Sequence, residues 1–200
     1  MPLSIFIKSM PILFLALLFF SQVVFAQKTN HVFEPKGNLD CFYKKIYSAS
    51  QRKEFYPFAE SDSIKLVSFR YHVNGIAIRK DSVIADSIVE EKWLSKEDIW
   101  KLTDILYNNF FKARPNYGVT NQCFTPRNAI LFYNKLGKLV ESIVICFHCE
   151  NYKASSAEIK MGDNCTEKIE KIRKLFISKD IIFGTDPKIL SYPGETFRTD

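Results

Sequence analysis

The segment Cys123-Phe-Thr-Pro-Arg-Asn-Ala-Ile-Leu-Phe-Tyr-Asn-Lys-Leu-Gly-Lys138, continued by Ile143-Val-Ile-Cys146-Phe-His-Cys149, constrains this chain more than any other. It places three of the five cysteines around one β-hairpin. Asn134-Lys-Leu-Gly137 fits a type I turn with glycine in the left-handed position. Ala129 to Tyr133 then reads as a buried strand and Leu139 to Phe147 as its return. Ile143, Ile145 and Phe147 share one face and Val144 and Cys146 the other, so both faces are apolar near the end and the strand is predicted to be central. The turn pairs the strands so that Cys123 falls beyond the end of its own strand, on the Cys149 side.

Periodicity supplies the rest of the expected fold. Ile64-Lys-Leu-Val-Ser-Phe-Arg-Tyr71 has strand composition. Asn74-Gly75 is a hairpin signal with a return near Ile76 to Arg79, and 83–93 reads as a further strand with Ile84, Ile88 and Trp93 buried. Ser95-Lys-Glu-Asp98 is a capping-box variant. Ile99, Leu102, Ile105, Leu106 and Phe110 follow at helical spacing, and the helix is closed off before Pro115. After a polar loop over 150–163, Asp163 or Asn164 is the expected cap of a last helix. Its core stripe is Ile169, Ile172, Leu175 and Phe176, and its solvated face is Glu167, Lys168, Glu170, Lys171, Arg173 and Lys174. Ile181-Ile-Phe-Gly184 is an expected edge strand. The prediction is an α+β domain over 55–184, an antiparallel sheet built of hairpins with two amphipathic helices packed on it. It is preceded by a weakly patterned lead-in (27–54) and followed by an irregular tail (185–200).

Residues 1–26 read as a secretory signal peptide. Lys8 precedes the apolar run Ile12 to Phe20, and Val24-Phe-Ala26 offers a cleavage site before Gln27. An uncleaved anchor is the competing reading, since 18 residues separate Lys8 from Gln27 and that length just spans a bilayer. Cleavage implies a periplasmic or secreted chain with no stable membrane insertion. The net charge of +6 is spread among acidic residues rather than clustered, which argues against a nucleic-acid partner.

An exported chain favours disulfides, and an odd cysteine count leaves one thiol over. Cys123, Cys146, Cys149 and Cys165 can converge at one end of the sheet, and three readings stand for them. They form two structural disulfides; or they are zinc ligands at spacing C-x22-C-x2-C-x15-C, with His148 as a substitute ligand; or Cys146-x-x-Cys149 is a thiol–disulfide redox pair. Arg127, close to Cys123, is a candidate anion contact, with a surface ion pair as the alternative. The three histidines, His31, His72 and His148, form no catalytic constellation. No nucleophile elbow, zincin helix or phosphate loop occurs. The expected role is binding or structural, with an unknown ligand or a cell-envelope or extracellular protein as partner, no catalysis evident and no cofactor other than zinc in the alternative reading.

The run Cys123-Phe-x-Pro-Arg-Asn-Ala-Ile-x-Phe-Tyr-Asn-x-x-Gly-Lys138 with Ile143-x-Ile-Cys-Phe-x-Cys149 resembles a family of small, uncharacterised exported bacterial proteins. Tyr56-Pro-Phe58, Ile64 to Phe69, Leu94-Ser-Lys-Glu97, Leu102 to Tyr107, Cys165-x-x-Lys168 and Phe176 extend the resemblance over about residues 55–184. It implies export and a shared cysteine pattern, and no reaction. Cys41 lies outside that pattern, which makes it the candidate for the unpaired thiol.

Overall fold

The computed structural model describes residues 38–72, 78, 82–116, 124–189 and 191–195. Its elements run β1 (Asn38–Tyr43), α1 (Ala49–Lys53), β2 (Ser63–Phe69), a 3₁₀ turn (Ala85–Ser87), β3 (Ile88–Trp93), α2 (Lys96–Tyr107), β4 (Asn109–Ala113), β5 (Asn128–Tyr133), β6 (Leu139–Cys146), β7 (Asn151–Ala154) and α3 (Thr166–Ile177). Five strands form one sheet in the order β3-β2-β5-β6-β7, each neighbour antiparallel. β1 and β4 form a separate antiparallel ribbon.

The period-two pattern explains the layers. Ile64 and Leu66, Ile130 and Phe132, and Ile143 and Ile145 pack with Leu102 and Leu106 of α2 and Ile169, Ile172 and Phe176 of α3. The alternate residues Val67, Phe69, Ala129, Leu131 and Val144 form a second cluster with Ile78, closed over by Val83, Ile88 and Phe124. The central strands are therefore buried on both sides, which is why they read as apolar runs rather than clean alternation. The result is the expected α+β class, with α2 and α3 on one face of a hairpin-built sheet.

Local signals hold where short-range chemistry decides. Ser95 caps α2: its Oγ accepts from Asp98 N at 3.2 Å, and the Asp98 carboxylate accepts from Ser95 N at 3.2 Å. Gly137 sits at φ 69° in the β5–β6 turn, where Asn134 Oδ1 accepts from the N–H groups of Leu136 and Lys138. β6 lies inside the sheet, as its two apolar faces require.

Several expectations are corrected. Phe110 belongs to β4, because Asn108 caps α2 by donating its N–H to Asp104 O. The strand expected over 83–93 begins only at Ile88, and Ile84 (48%) and Trp93 (51%) are exposed. β3 is a sheet edge with one face open, and Trp93 there takes the Lys65 ammonium 4.2 Å above its ring. Within the polar loop of 150–163 lies β7, an edge strand paired with β6, whose alternate residues Tyr152 and Ala154 pack against the core. Ile181 to Gly184 is not a strand: the N–H groups of Ile182 and Phe183 both donate to Glu90 Oε2. Glu90 also accepts from Ser68 Oγ at 2.6 Å. The N-cap of α3 is Cys165, while Asp163 accepts from Phe111 N and Arg114.

The lead-in is partly built into the fold as β1 and α1. α1 carries a complete capping box between Ser48 and Gln51, and its Arg52 is buried against Thr103, with its guanidinium 3.1 Å from Asp104. Asn108 Oδ1 accepts from Ile46 N and Tyr47 N. The signal segment, the Asn74-Gly75 turn and Cys123 lie outside the described residues.

Candidate functional site

Two disulfides define one end of the molecule. Cys146 and Cys149 are bonded to each other at 2.07 Å across the turn that ends β6. Cys165 is bonded to Cys41 of β1 at 2.06 Å. This corrects the expectation for Cys41, which is cross-linked rather than unpaired, and it removes Cys165 from any set shared with Cys146 and Cys149. The reason is tertiary: β1 is drawn to the start of α3, where Glu167 Oε2 accepts from Cys41 N at 2.6 Å and Thr166 Oγ1 donates to Leu39 O. The sulfurs of Cys146, Cys149 and Cys165 are each bonded to another sulfur. His148 Nδ1 stands 2.7 Å from Pro187 O. Among the described residues no group of three His, Cys, Asp or Glu side chains is arranged to hold a metal.

The two bridges differ in what they can contribute. Cys41 and Cys165 are 124 residues apart, so their link removes a very large loop from the unfolded ensemble, about 5 kcal/mol in the chain-entropy account. Cys146 and Cys149 are three apart, and the same account yields about 2 kcal/mol. The long bridge is thus the staple of the fold.

Between the bridges lies a cleft of about 610 Å³. It is lined by Leu39, Phe111, Arg114, the Cys149 to Asn151 turn, Gly162 to Thr166 and Ile169. Asp163 is anchored within it, as described, and Glu150 at φ 49° turns the chain from Cys149 into β7. The lining is mixed, with apolar patches separated by charges of both signs.

Arg127, the candidate anion contact, binds a carboxylate of its own chain. Its Nε and a terminal nitrogen donate to Glu195 Oε1 and Oε2, each at 2.7 Å, and both side chains are buried. Glu195 also accepts from Tyr71 N and Tyr192 N. Burial alone would raise the Glu195 pKa; the Arg127 guanidinium and these N–H groups outweigh it and hold the carboxyl below its usual range. The tail, expected to be irregular, carries no regular secondary structure over its described residues, 185–189 and 191–195, and is pinned through Glu195 to Arg127.

Lys168 is the second correction on α3. It is fully buried, and its Nζ donates to Leu106 O at 2.7 Å and Met161 O at 2.9 Å. It caps the last turn of α2 from a neighbouring helix. Gly162, at φ 65°, makes room: a Cβ there would stand 2.6 Å from Leu106 O. Desolvation lowers the Lys168 pKa to about 8, with the Asp163 carboxylate opposing and Lys171 adding to the shift. An unfolded lysine stays protonated to about pH 10.4. Between these values the unfolded chain binds more protons, so stability rises with pH through that window. We expect a gain of about 1–3 kcal/mol from pH 8 to pH 10 in denaturant titrations, absent in Lys168→Met; a flat wild-type profile would contradict it.

Lys168 had a signal in the sequence, four residues before Ile172 and seven before Leu175, on the buried stripe. Glu141 had one as well, two residues before Ile143. It is buried among the hydroxyls of Tyr56 and Ser155, which both donate to it. Burial and the Glu141 carboxylate raise the Tyr56 pKa. Glu195 had none.

The fold and these links define the class, a disulfide-cross-linked α+β protein. No protein-family model, curated protein or solved structure matches the chain.

Proposed function

We propose that this chain is an exported binding protein of the periplasm or the extracellular space, and that its ligand or protein partner is engaged at the cleft between the two disulfides. One observation carries the reading: Cys149 and Cys165, from different bridges, both line that cleft. Cross-links that fix the walls of a cleft reduce the ordering needed on binding. Export is supported by the leader-like sequence of residues 1–26 and by the two bridges, which persist in oxidising compartments. No helix among the described residues is long and apolar enough to cross a membrane.

A photo-crosslinking residue at Asn151 in the cleft, compared with one at Leu136 in the distant β5–β6 turn, tests the binding site. Discrete adducts with envelope or extracellular proteins from Asn151 alone are expected; equal labelling from both positions, or none, would sink the proposal. Export is read separately, from a product that begins at Gln27.

A further inference from the structure

We infer that the outer face of the β1–β4 ribbon docks on an anionic lipid bilayer surface, with Phe42 and Phe110 entering the interface and Lys44, Lys45 and Lys112 meeting the headgroups. The inference concerns a surface other than the cleft and stands without the binding role proposed there.

Three observations carry it. The first is where the ribbon puts its aromatic side chains. Successive residues of a strand point to opposite faces. Cys41 is bonded to Cys165 and Asn109 Oδ1 accepts from Lys171 of α3, so their face of the ribbon is turned to α3. Phe42 and Phe110 pair directly across the ribbon on the other face, with Lys112 beside them. Neither phenylalanine belongs to, or packs against, either core cluster, and Phe42 is 51% exposed. The second is continuity. Every residue from Phe42 to Ile46 is exposed, so the apolar surface runs on past the ribbon with lysines set among it. Single exposed apolar residues are ordinary, whereas a contiguous patch marks an interaction site. The third is charge. Residues 40–46 and 110–112 hold three lysines and one acid, and that acid, Asp40, lies 3.1 Å from Lys112. The patch is therefore basic.

The combination selects the occupant. Lysine is depleted from protein–protein interfaces, yet here lysines surround the exposed aromatic rings. At a bilayer surface the same arrangement is favourable. Lysine stems lie along apolar surface while their ammonium groups stay in the polar layer. Apolar side chains enter the boundary between headgroups and acyl chains, and the basic charge is drawn to anionic lipid. Charge complementarity thus points to an anionic bilayer, with the chain held at its surface rather than across it.

The test sediments the purified exported chain with vesicles of phosphatidylcholine alone, and of phosphatidylcholine with phosphatidylglycerol at about 2:1. Uptake is expected only by the anionic vesicles. It should fall as salt rises from about 0.1 M to about 1 M, which shortens the screening length from about 10 Å to about 3 Å. The Lys44→Gln, Lys45→Gln chain should lose roughly tenfold or more in affinity, and Phe42→Ser roughly fivefold. Leu136→Ser, at an exposed position in the β5–β6 turn, should bind as the wild type does. Equal uptake by the two vesicles would overturn the inference. So would uptake by neither, the result a protein partner for this face would give, or anionic binding that the Phe42 and lysine variants leave unchanged. The substituted side chains are exposed, so the core is untouched, and the comparison of vesicles with the wild type needs no variant.

Discussion

Replacing Cys41 and Cys165 together by alanine is expected to lower the stability of this fold by about 5 kcal/mol, a fall in Tm of roughly 10–20 °C for a chain of this size. The bridge spans 124 residues, so its loss returns nearly the whole domain to an unconstrained unfolded ensemble. The native side loses as well. β1 is held to α3 by that bond, by Glu167 Oε2 on Cys41 N and by Thr166 Oγ1 on Leu39 O, and β1 in turn carries β4. The paired Cys146→Ala, Cys149→Ala chain should lose only about 2 kcal/mol. Thermal unfolding of both variants beside the wild type, under non-reducing conditions, reads the contrast. Equal shifts would mean that the long bridge is not the dominant restraint.

Glu195→Gln is the second large effect. Breaking one side of a buried, hydrogen-bonded ion pair typically costs about 3–5 kcal/mol, because the remaining charge stays buried without its partner. Here that charge is the Arg127 guanidinium, stacked 5.2 Å from the Tyr192 ring. The tail can relieve part of the penalty by undocking and wetting Arg127. We therefore expect two readouts: a fall in the denaturant midpoint, and new proteolytic cleavage after Thr185. The sign of the pH dependence follows from the depressed Glu195 pKa. The contribution is complete above the ordinary glutamate value of about 4.3 and is lost as pH falls through the lower folded value. A wild-type tail that stays protected while Glu195→Gln is cleaved, with the difference vanishing in acid, supports the pair as the latch. Identical protection in both chains at neutral pH would refute it.

The elements legible in the sequence were those whose cause is local. Ser95 and Asp98 are three residues apart and cap each other; Asn134 to Gly137 closes a turn within itself; Ile169, Ile172, Leu175 and Phe176 mark a helix face by spacing alone. The errors share a different origin. β7 turns only two residues, Tyr152 and Ala154, onto the core, too short a pattern to stand out from the polar loop, and pairing with β6 holds it in place. Lys168 and Glu141 carry charged side chains at core spacing, so composition argued for solvent while position argued for burial. Position prevailed because carbonyls and hydroxyls from other elements satisfy them. Cys41 lies outside the hairpin pattern, yet the partner of a cysteine is chosen by distance in space.

The sequence by itself determined the α+β class, the hairpin with its glycine turn, the capped α2 and the reading of cysteines as cross-links, since each follows from contacts within a few residues or from the period of apolar positions. Only the tertiary structure decided which cysteines bond, that Arg127 meets Glu195 of the tail, and that the two disulfides share one cleft. Those pairings join residues up to 124 apart, and nothing in local propensity encodes them. They arise when helices and tail pack on the sheet and buried charges and sulfurs must find partners there.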